Sequence, residues 1–456
     1  MDEAKAQTSE PEEDDADAET IPHEEPVGVS PPPEKSEGPV RRFIDLLGPG
    51  LITGASDDDP SGIGTYTSAG ASLGFATLWT AVVTLPLMAA VQFVCAKIGM
   101  VTGRGLAGVL RRYYPPWVLY LAVLLLVVAN TINVGTDIGA IAAAVNLVVP
   151  ALPIKVMIVP VALFIVVLQI LGSYRLIAKV FKWLSLTLFA YIAAAFLARP
   201  HWGEVLSNTF VPRLQFGGQY LLTLVAILGT TISPYLFFWQ ASEEVEEEVQ
   251  MGRTTLRERE GATREELKHA ALDTGVGMLF CNVVFYFVIL ASAATLHAHN
   301  QTDVQSATDA ARALEPFAGP AAKYLFAFGL IGAGCLAVPV LSGSAAYAVA
   351  ETFGWKYGLD TKPRQAKQFY AVIALSTLLG MLINFTGINP INALFWTAVI
   401  HGLLAPPLLI IIMLVSNNRE VMGERINGKL LNTLGWAAAA VMVAAAVGMF
   451  LTWNQQ

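Results

Sequence analysis

Eleven long stretches of mostly apolar residues follow one another along this 456-residue chain. A helix needs about 20 such residues to cross the hydrocarbon core of a bilayer, and each stretch is close to that length. Hydrophobic residues make up 54% of the chain and charged residues only 14%, which leaves too little polar surface for a soluble globule. A bilayer must therefore act as the solvent, and the sequence predicts an all-α, polytopic membrane protein.

The predicted spans are joined by short polar loops, and several are interrupted by Gly, Pro or Asp. Their approximate limits are 45–69, 74–97, 116–147, 153–173, 178–198, 217–241, 270–296, 322–350, 368–386, 390–415 and 432–453.

Basic residues give the orientation of these spans. With the N-terminus in the cytoplasm, 23 of the 28 Lys and Arg residues fall on the cytoplasmic side. Cytoplasmic loops accumulate Lys and Arg, and one missed helix would invert every later loop. The sequence therefore predicts eleven spans, a cytoplasmic N-terminus and an extracellular C-terminus, in the plasma membrane of a prokaryote.

The first 40 residues mix acidic residues with prolines and carry much of the net charge of −8. Such a segment cannot bury a core, so residues 1–40 are predicted to form a disordered acidic tail. It lacks the basic and apolar regions of a secretory signal peptide. Cys95, Cys281 and Cys335 lie far apart in apolar stretches without metal-ligand spacing, and we expect free, buried thiols.

The first span is interrupted at its centre by Asp57, Asp58 and Asp59, followed by Pro60. Each aspartate at a helix centre costs roughly 2.5–3.5 kcal/mol on insertion scales. The proline removes a backbone donor and disfavours helical geometry at the residue before it. Unwound backbone at membrane depth is tolerated only where it is buried in protein or lines a watery cavity. A plain kink could explain the proline alone, but three adjacent carboxylates indicate a broken helix at a polar site.

The sixth span carries a similar interruption, made of Gly229, Thr230, Thr231, Ser233 and Pro234. Proline is common in transmembrane helices, so this segment alone is compatible with a kink. The first and sixth spans are, however, the leading helices of two halves of five spans each. Interrupted segments at corresponding places in two halves are typical of transporters with inverted repeats, whose substrate site lies at the breaks.

These breaks resemble those of the natural resistance-associated macrophage protein (Nramp) family. The most specific piece is GPGLITGASDDDPSG, which is similar to the family's GPG...DPGN, and the resemblance covers most of residues 41–453. It implies the LeuT-type fold, with inverted repeats at 41–200 (spans 1–5) and 201–416 (spans 6–10) and a peripheral span at 417–456. It also implies transport of divalent transition metals, usually with protons.

The resemblance also implies a metal site from which this chain departs. Family members hold the metal with the Asp and Asn of DPGN, a nearby carbonyl and the Met of a Met-Pro-His turn in the sixth span. Asp59 matches the aspartate, whereas Gly62 stands at the asparagine position, Ser233 at the methionine position and Tyr235 at the histidine position.

We therefore expect Asp59 to be a metal ligand, directly or through water. Ser233 and carbonyls near Thr230 are expected to complete the ring. Asp57 and Asp58 are further candidates, because adjacent side chains on an unwound segment cannot all face the same way.

Exchanging a thioether for Ser233 removes the soft ligand that favours transition metals. Carboxylate, hydroxyl and carbonyl oxygens suit Mg²⁺, Ca²⁺ or Mn²⁺ better than Fe²⁺, Zn²⁺ or Cd²⁺. Gly62 and Ser233 are also expected to enlarge the cavity and leave room for the waters that Mg²⁺ retains. This pattern resembles the Nramp-related magnesium transporters, a divergent branch of the family. Mg²⁺, with Mn²⁺ also carried, is the predicted substrate, and Ca²⁺ is left open.

The third span bears on proton coupling. Asp137 matches an aspartate of the family's proton path, but the companion glutamate three residues later is Ala140, and the sixth-span histidine is Tyr235. We expect uncoupled flow of the cation; an ordinary proton-coupled Mn²⁺/Fe²⁺ transporter is the alternative. Asp137 could also be structural, paired with a hydroxyl.

Two other functions compete with metal transport. A Mg²⁺-dependent intramembrane prenyltransferase would use an aspartate cluster, but such enzymes carry a second Asp-rich motif that is absent from this sequence. An amino-acid carrier of the same fold is disfavoured because three aspartates would repel a carboxylate. The sequence thus predicts a monomeric transporter and no enzyme. Its expected partners are the cation, as substrate, and the lipid bilayer, with no cofactor and no nucleic acid.

Two polar features are explained more simply. The run from Ser242 to Glu248 is predicted to be a solvated helix face, with a cation site at the inner mouth as the alternative. Asn130 and Asn133 are predicted to hydrogen-bond between helices, with a place along the ion path as the alternative.

Overall fold

The computed structural model describes residues 49–171, 186–359 and 361–453, and the regular elements in these ranges are all helical. The predicted acidic tail at 1–40 and the first part of the fifth span lie outside the described residues. The fold class predicted from the sequence, an all-helical bundle, is confirmed.

The helices differ widely in length, from single turns to more than eight turns. In chain order they are α1 (Pro49–Asp57), α2 (Pro60–Leu73), α3 (Trp79–Thr102), α4 (Leu106–Tyr113), α5 (Pro116–Val148), α6 (Ile154–Leu171), α7 (Ala190–Leu197), α8 (Trp202–Phe210), α9 (Gly218–Thr231), α10 (Pro234–Gln250), α11 (Leu256–Arg259), α12 (Arg264–Thr295), α13 (Ala307–Ala311), α14 (Glu315–Ala318), α15 (Ala322–Phe353), α16 (Lys367–Leu382), α17 (Pro390–Asn417), α18 (Arg419–Met422) and α19 (Lys429–Leu451). Short 3₁₀ turns lie at Gly74–Thr77, Leu186–Phe189, His297–His299, Arg312–Leu314, Gly319–Ala321, Ile383–Phe385 and Gly423–Arg425.

Each predicted span contains helix. Within the described ranges, eight helical segments are long and apolar enough to cross a membrane, and they coincide with predicted spans 2, 3 and 6 to 11. The first predicted span corresponds to α1 and α2 together, and the fourth to α6, which has 18 residues. The fifth is described only from Leu186 onwards, as a 3₁₀ turn and α7.

The first span is broken at Asp58 and Asp59, as its sequence predicts. Asp59 adopts an extended conformation (φ −71°, ψ 166°) and caps α2, with Pro60 at the first helical position. Proline is suited to this position because its missing N–H would have no helical partner there. The acidic run therefore ends one half-helix and begins the next.

The sixth span is broken between Thr231, the last residue of α9, and Pro234, the first residue of α10. Ser233 precedes the proline in an extended conformation (φ −77°, ψ 127°), which the ring of the next residue favours. Both breaks thus follow from the same chemistry, a proline that cannot continue the preceding helix.

The two broken spans lie inside the bundle. Half-helices α1 and α2 pack on α12, α2 also packs on α5, α15 and α17, and α9 packs on α17. Glycines let some of these backbones approach closely: a Cβ built on Gly229 of α9 would lie 2.2 Å from the backbone N of Gly402 in α17. Small residues at such crossings are typical of helix packing in membranes.

Candidate functional site

Asp59 lies at the N-terminus of α2 with its carboxylate held by three donors. The backbone N–H of Gly62 donates to Oδ1 at 2.6 Å, and the Ser61 hydroxyl lies 2.9 Å from both carboxylate oxygens. The Asn133 side-chain amide of α5 donates to Oδ2 at 2.9 Å. Because these donors are neutral, the carboxylate is fixed in place without a neutralising cation of the protein.

Asn133 and Asp137 bring α5 to the same place. Asp137 is fully buried, and no described side chain hydrogen-bonds to either of its carboxylate oxygens. The alternative in which a hydroxyl pairs with Asp137 is therefore not what the structure has. A buried carboxylate without a side-chain partner is costly, so Asp137 is a polar group available to a cation or a proton.

The sixth-span break supplies oxygen atoms beside the acidic run of the first span. Ser233 donates its hydroxyl to the carbonyl of Thr230 at 2.7 Å and lies 3.3 Å from the carbonyl of Gly229. Its oxygen is also 3.5 Å from Oδ1 of Asp57. Ser233 and the Thr230 carbonyl therefore lie together, with Ser233 on the side of Asp57.

Gly62 lies between Asp59 and Thr230, and its surroundings correct one expectation. A Cβ at this position would lie 3.1 Å from the Thr230 hydroxyl, 3.3 Å from Oδ1 of Asp59 and 3.3 Å from the Tyr66 ring. Glycine was expected to enlarge the cavity here. In this conformation that expectation is wrong, because neighbouring side chains occupy the space that a side chain at Gly62 would fill.

Asp57 and Asp58 do not share the hydrogen-bond donors of the Asp59 cap. The Cys281 thiol of α12 donates to Oδ2 of Asp57 at 3.3 Å, and Oδ2 of Asp58 has no partner in the described part of the chain. Sequence reasoning treated Cys281 only as a buried thiol and missed this contact. No local signal could have revealed it, since Cys281 lies 224 residues from Asp57.

Tyr235 and Ala140 stand where the family resemblance places a histidine and a glutamate. Tyr235 donates its hydroxyl to the backbone carbonyl of Ser56 at 3.1 Å, so it ties α10 to the end of α1. Ala140 is buried in an apolar cluster with Ile63 and Tyr66. A histidine for which the sequence predicts no role, His401 of α17, lies with its ring 6.0 Å from that of Tyr235.

The site is closed to solvent in this conformation. Asp57 and Asp58 are 2% exposed, and Asp59 and Ser233 are 1% exposed. Among the described residues, no group of three or more His, Cys, Asp or Glu side chains is arranged to hold a metal ion. A cation bound here would depend on carbonyls, hydroxyls, the Asn133 amide or retained waters as well as on carboxylates. Hard cations accept such oxygen ligands.

The glutamate run after the sixth-span break contradicts a second expectation. Glu244 and Glu248 are buried, at 4% and 3% exposed. Gln240 donates to Glu244 at 2.8 Å, and Tyr347 donates to Glu246 at 3.1 Å. The run is therefore not a solvated helix face. It packs on neighbouring helices, which a sequence pattern cannot show.

Comparison with known proteins identifies relatives of this chain. The family described as natural resistance-associated macrophage protein-like (Nramp) matches residues 50–452. A protein named divalent metal cation transporter MntH from Deinococcus radiodurans is 27% identical over 423 residues, covering 91% of each chain. A protein of the same name from Klebsiella pneumoniae is 25% identical over 404 residues, covering 88% of this chain and 92% of the relative.

Solved structures agree on the fold. The manganese transporter of Eremococcus coleocola superimposes with a TM-score of 0.70 at 17% identity, covering 92% of this chain and 89% of that one. Mhp1, a nucleobase-cation-symport-1 family transporter, gives a TM-score of 0.57 at 14% identity, with 90% and 92% coverage. The predicted LeuT-type fold is thus confirmed, and these relatives are transporters and not enzymes. Because the family match extends over residues 50–452, which is most of the chain, the protein belongs to the Nramp family.

Proposed function

We propose that this protein carries divalent metal cations across a membrane, with Mg²⁺ as the favoured substrate and Mn²⁺ also carried. The relatives named divalent metal cation transporters support the general activity. The observation that carries the finer proposal is the set of donors at the breaks. These are the carboxylates of Asp57 and Asp59, the hydroxyls of Ser61 and Ser233 and the carbonyl of Thr230, and neither a thioether nor an imidazole takes part in these contacts.

Ligand softness decides between the candidate ions. Oxygen ligands suit Mg²⁺ and Mn²⁺, whereas Cd²⁺ and Zn²⁺ gain more from sulfur or imidazole ligands. The Cys281 thiol beside Asp57 is the one soft group in contact with the acidic run among the described residues. A cation held through Asp59 does not require this thiol, whereas one held through Asp57 would lie near it.

We further propose that α1, α2, α9 and α10 form one central site and that access alternates between the two sides of the membrane. The burial of all three aspartates supports a closed intermediate of such a cycle. The placing of 23 of 28 basic residues on one side supports a cytoplasmic N-terminus and an extracellular C-terminus.

Proton-coupled Mn²⁺ transport is the second candidate. The manganese transporter whose fold this chain shares favours it, and so does the buried carboxylate of Asp137, which has no side-chain partner among the described residues. Ala140 and Tyr235 favour the uncoupled alternative, because neither can replace the family's acidic or imidazole proton carrier at neutral pH.

Ion competition in proteoliposomes tests the substrate. We expect Mn²⁺ uptake by the purified protein to be inhibited by excess Mg²⁺. The same concentration of Cd²⁺ should inhibit it much less, because the metal ligands are hard oxygen atoms. Ser233→Met adds a thioether and is expected to strengthen inhibition by Cd²⁺, whereas Ser233→Leu, of similar size without sulfur, is the matched control. Stronger inhibition by Cd²⁺ than by Mg²⁺ in the parent protein would establish an ordinary transition-metal transporter instead.

A further inference from the structure

We propose that Asp273 is a positioning residue that latches the half-helix α1 against α12. This latch closes the ion path on the side of the membrane where the N-terminus lies, the proposed cytoplasmic side. The inference rests on the proposed transport function, because a latch matters only if the site must open. It concerns three contacts along one face of α12, at Asp273, Gly277 and Cys281. These residues are four apart and therefore lie on the same side of the helix.

The first contact caps the N-terminal end of α1. Asp273 accepts the backbone N–H of Gly50 at 2.6 Å and that of Leu51 at 3.2 Å. The first N–H groups of a helix have no partner within the helix, and the helix dipole favours negative charge at this end. Asp273 is 4% exposed, so this charge-assisted contact is made away from water. It therefore holds the end of α1 that is farthest from the ion site.

The second contact is between Gly54, in the middle of α1, and Gly277 of α12. A Cβ at Gly54 would lie 2.1 Å from the carbonyl oxygen of Gly277, and a Cβ at Gly277 would lie 2.1 Å from that of Gly50. Neither position can hold a side chain while the helices stay in contact. The docked arrangement thus depends on glycine at Gly54 and Gly277.

The third contact is at the ion-site end, where the Cys281 thiol donates to Asp57 at 3.3 Å. On another face of α1, Thr53 donates its hydroxyl to Gln240 of α10 at 2.5 Å. Half-helix α1 is thus fixed at its far end, its middle and its site end. It ends in the non-helical residues at Asp58 and Asp59, where the backbone can turn without breaking a helix.

Opening the path requires an element to move, because Asp57, Asp58 and Asp59 are at most 2% exposed. Half-helix α1 is described from Pro49, the first described residue of the chain, to Asp57, where it ends at the break. An element that ends at a break can swing about the non-helical residues there, at the cost of its contacts with α12. Releasing Asp273 frees its far end, and loss of the bond from Cys281 to Asp57 upon cation binding would free its site end.

Cys281 itself reports the state of the latch, because it is 2% exposed and lies between α1 and α12. With Cys95→Ala and Cys335→Ala as background, labelling of Cys281 by N-ethylmaleimide measures opening and requires no transported ion. Asp273→Ala is expected to raise the labelling rate by at least about tenfold, which corresponds to about 1.4 kcal/mol. Asp273→Glu, which keeps the carboxylate, is expected to restore much of the slow rate. Glu265→Gln, on the same helix with a side chain 74% exposed, is expected to leave the rate unchanged.

A second pair of variants tests the latch without touching Asp273. Gly54→Ala is expected to accelerate labelling, because its methyl group cannot fit against Gly277. Gly275→Ala, on α12 with nothing within 4 Å of the added Cβ, is the control that should label slowly. In a parallel background with Cys95 as the one remaining cysteine, labelling should stay slow throughout, because Cys95 is fully buried in α3.

Two results would overturn the latch. Parent-like labelling of Cys281 in both Asp273→Ala and Gly54→Ala would show that α1 is not held by these contacts. Equal acceleration at Cys95 would show general unfolding in place of local opening. Neither result depends on which ion is carried, so a failed latch and a failed substrate assignment are distinguishable.

Discussion

Asp59 combines a structural and a proposed chemical role in one side chain. Its carboxylate caps α2 through the N–H of Gly62, and it is the proposed cation ligand. Asparagine is as good an N-cap as aspartate, whereas alanine costs about 1 kcal/mol at such a position. Substitution by Asn therefore separates the charge from the cap.

We expect Asp59→Asn to reduce metal uptake to background while the protein inserts and elutes as the parent does. The reason is that the charge at the proposed site is lost while the cap is kept. Uptake of Mn²⁺ into proteoliposomes, with equal reconstitution verified, is the measurement. Asp303→Asn, at an exposed loop position, is the control. Parent-like uptake by Asp59→Asn would remove Asp59 from the site.

The sequence predicts some of these residues and not others for a physical reason. Asp59 and Pro60 are adjacent, so the break and its cap can be predicted from local chemistry. Asn133 and Cys281 lie 74 and 224 residues away from the aspartates that they contact. Their positions depend on how α5 and α12 pack, which a single sequence does not contain.

At the level of elements, glycines decide how closely the broken spans approach their neighbours. A Cβ at Gly229 of α9 would lie 2.2 Å from both the carbonyl of Ala398 and the N of Gly402 in α17. The carbonyl of Gly229 also accepts a hydrogen bond from the Ser233 hydroxyl. The α9–α17 crossing therefore sets the position of the sixth-span break.

Gly229→Ala is expected to destabilise the fold by about 1–3 kcal/mol, the usual cost of overpacking. It should also lower metal uptake, because α9 must move away from α17 and carry the Thr230 carbonyl with it. Thermal unfolding in detergent and uptake in proteoliposomes are the two measurements. Gly217→Ala, just before α9 and with nothing within 4 Å of its Cβ, is the matched control. Equal stability and uptake in the two variants would contradict the role given to this crossing.

The secondary structure of these elements is more predictable from the sequence than the way in which they pack together. Apolar length and proline position gave the helices and both breaks, because these depend on the chain's own backbone and on the bilayer. The glutamate run of α10 was misjudged, because Tyr347 of α15 and the neighbouring Gln240 provide its polar partners. Charge alone does not show which face of a helix is covered.

At the scale of the whole molecule, the proposed transport cycle needs an energy source. A divalent cation crossing a membrane at 100 mV gains about 4.6 kcal/mol, taking about 2.3 kcal/mol for each elementary charge. A cytoplasm that is negative inside therefore favours entry without any coupled proton. Coupling would require a titratable path through the bundle.

The described part of the bundle contains an incomplete set of groups for such a path. Ala140 is buried among apolar residues, and the Tyr235 hydroxyl donates to the Ser56 carbonyl. No described side chain hydrogen-bonds to the carboxylate of Asp137 or to the imidazole of His401 in α17. Outside the acidic run, Asp137 and His401 are therefore two groups that could carry a proton.

We therefore expect metal entry into proteoliposomes to leave the lumenal pH unchanged, and the initial rate of entry to rise as the lumen is made more negative. Lumenal pyranine and a potassium–valinomycin potential are the measurements, and empty liposomes are the control for leak. Asp137→Asn and His401→Gln should then alter uptake without creating or removing a proton signal. A saturable, metal-dependent proton influx with a fixed stoichiometry would contradict uncoupled flow. Its loss in either variant would identify Asp137 or His401 as the proton carrier that replaces the groups absent at Ala140 and Tyr235.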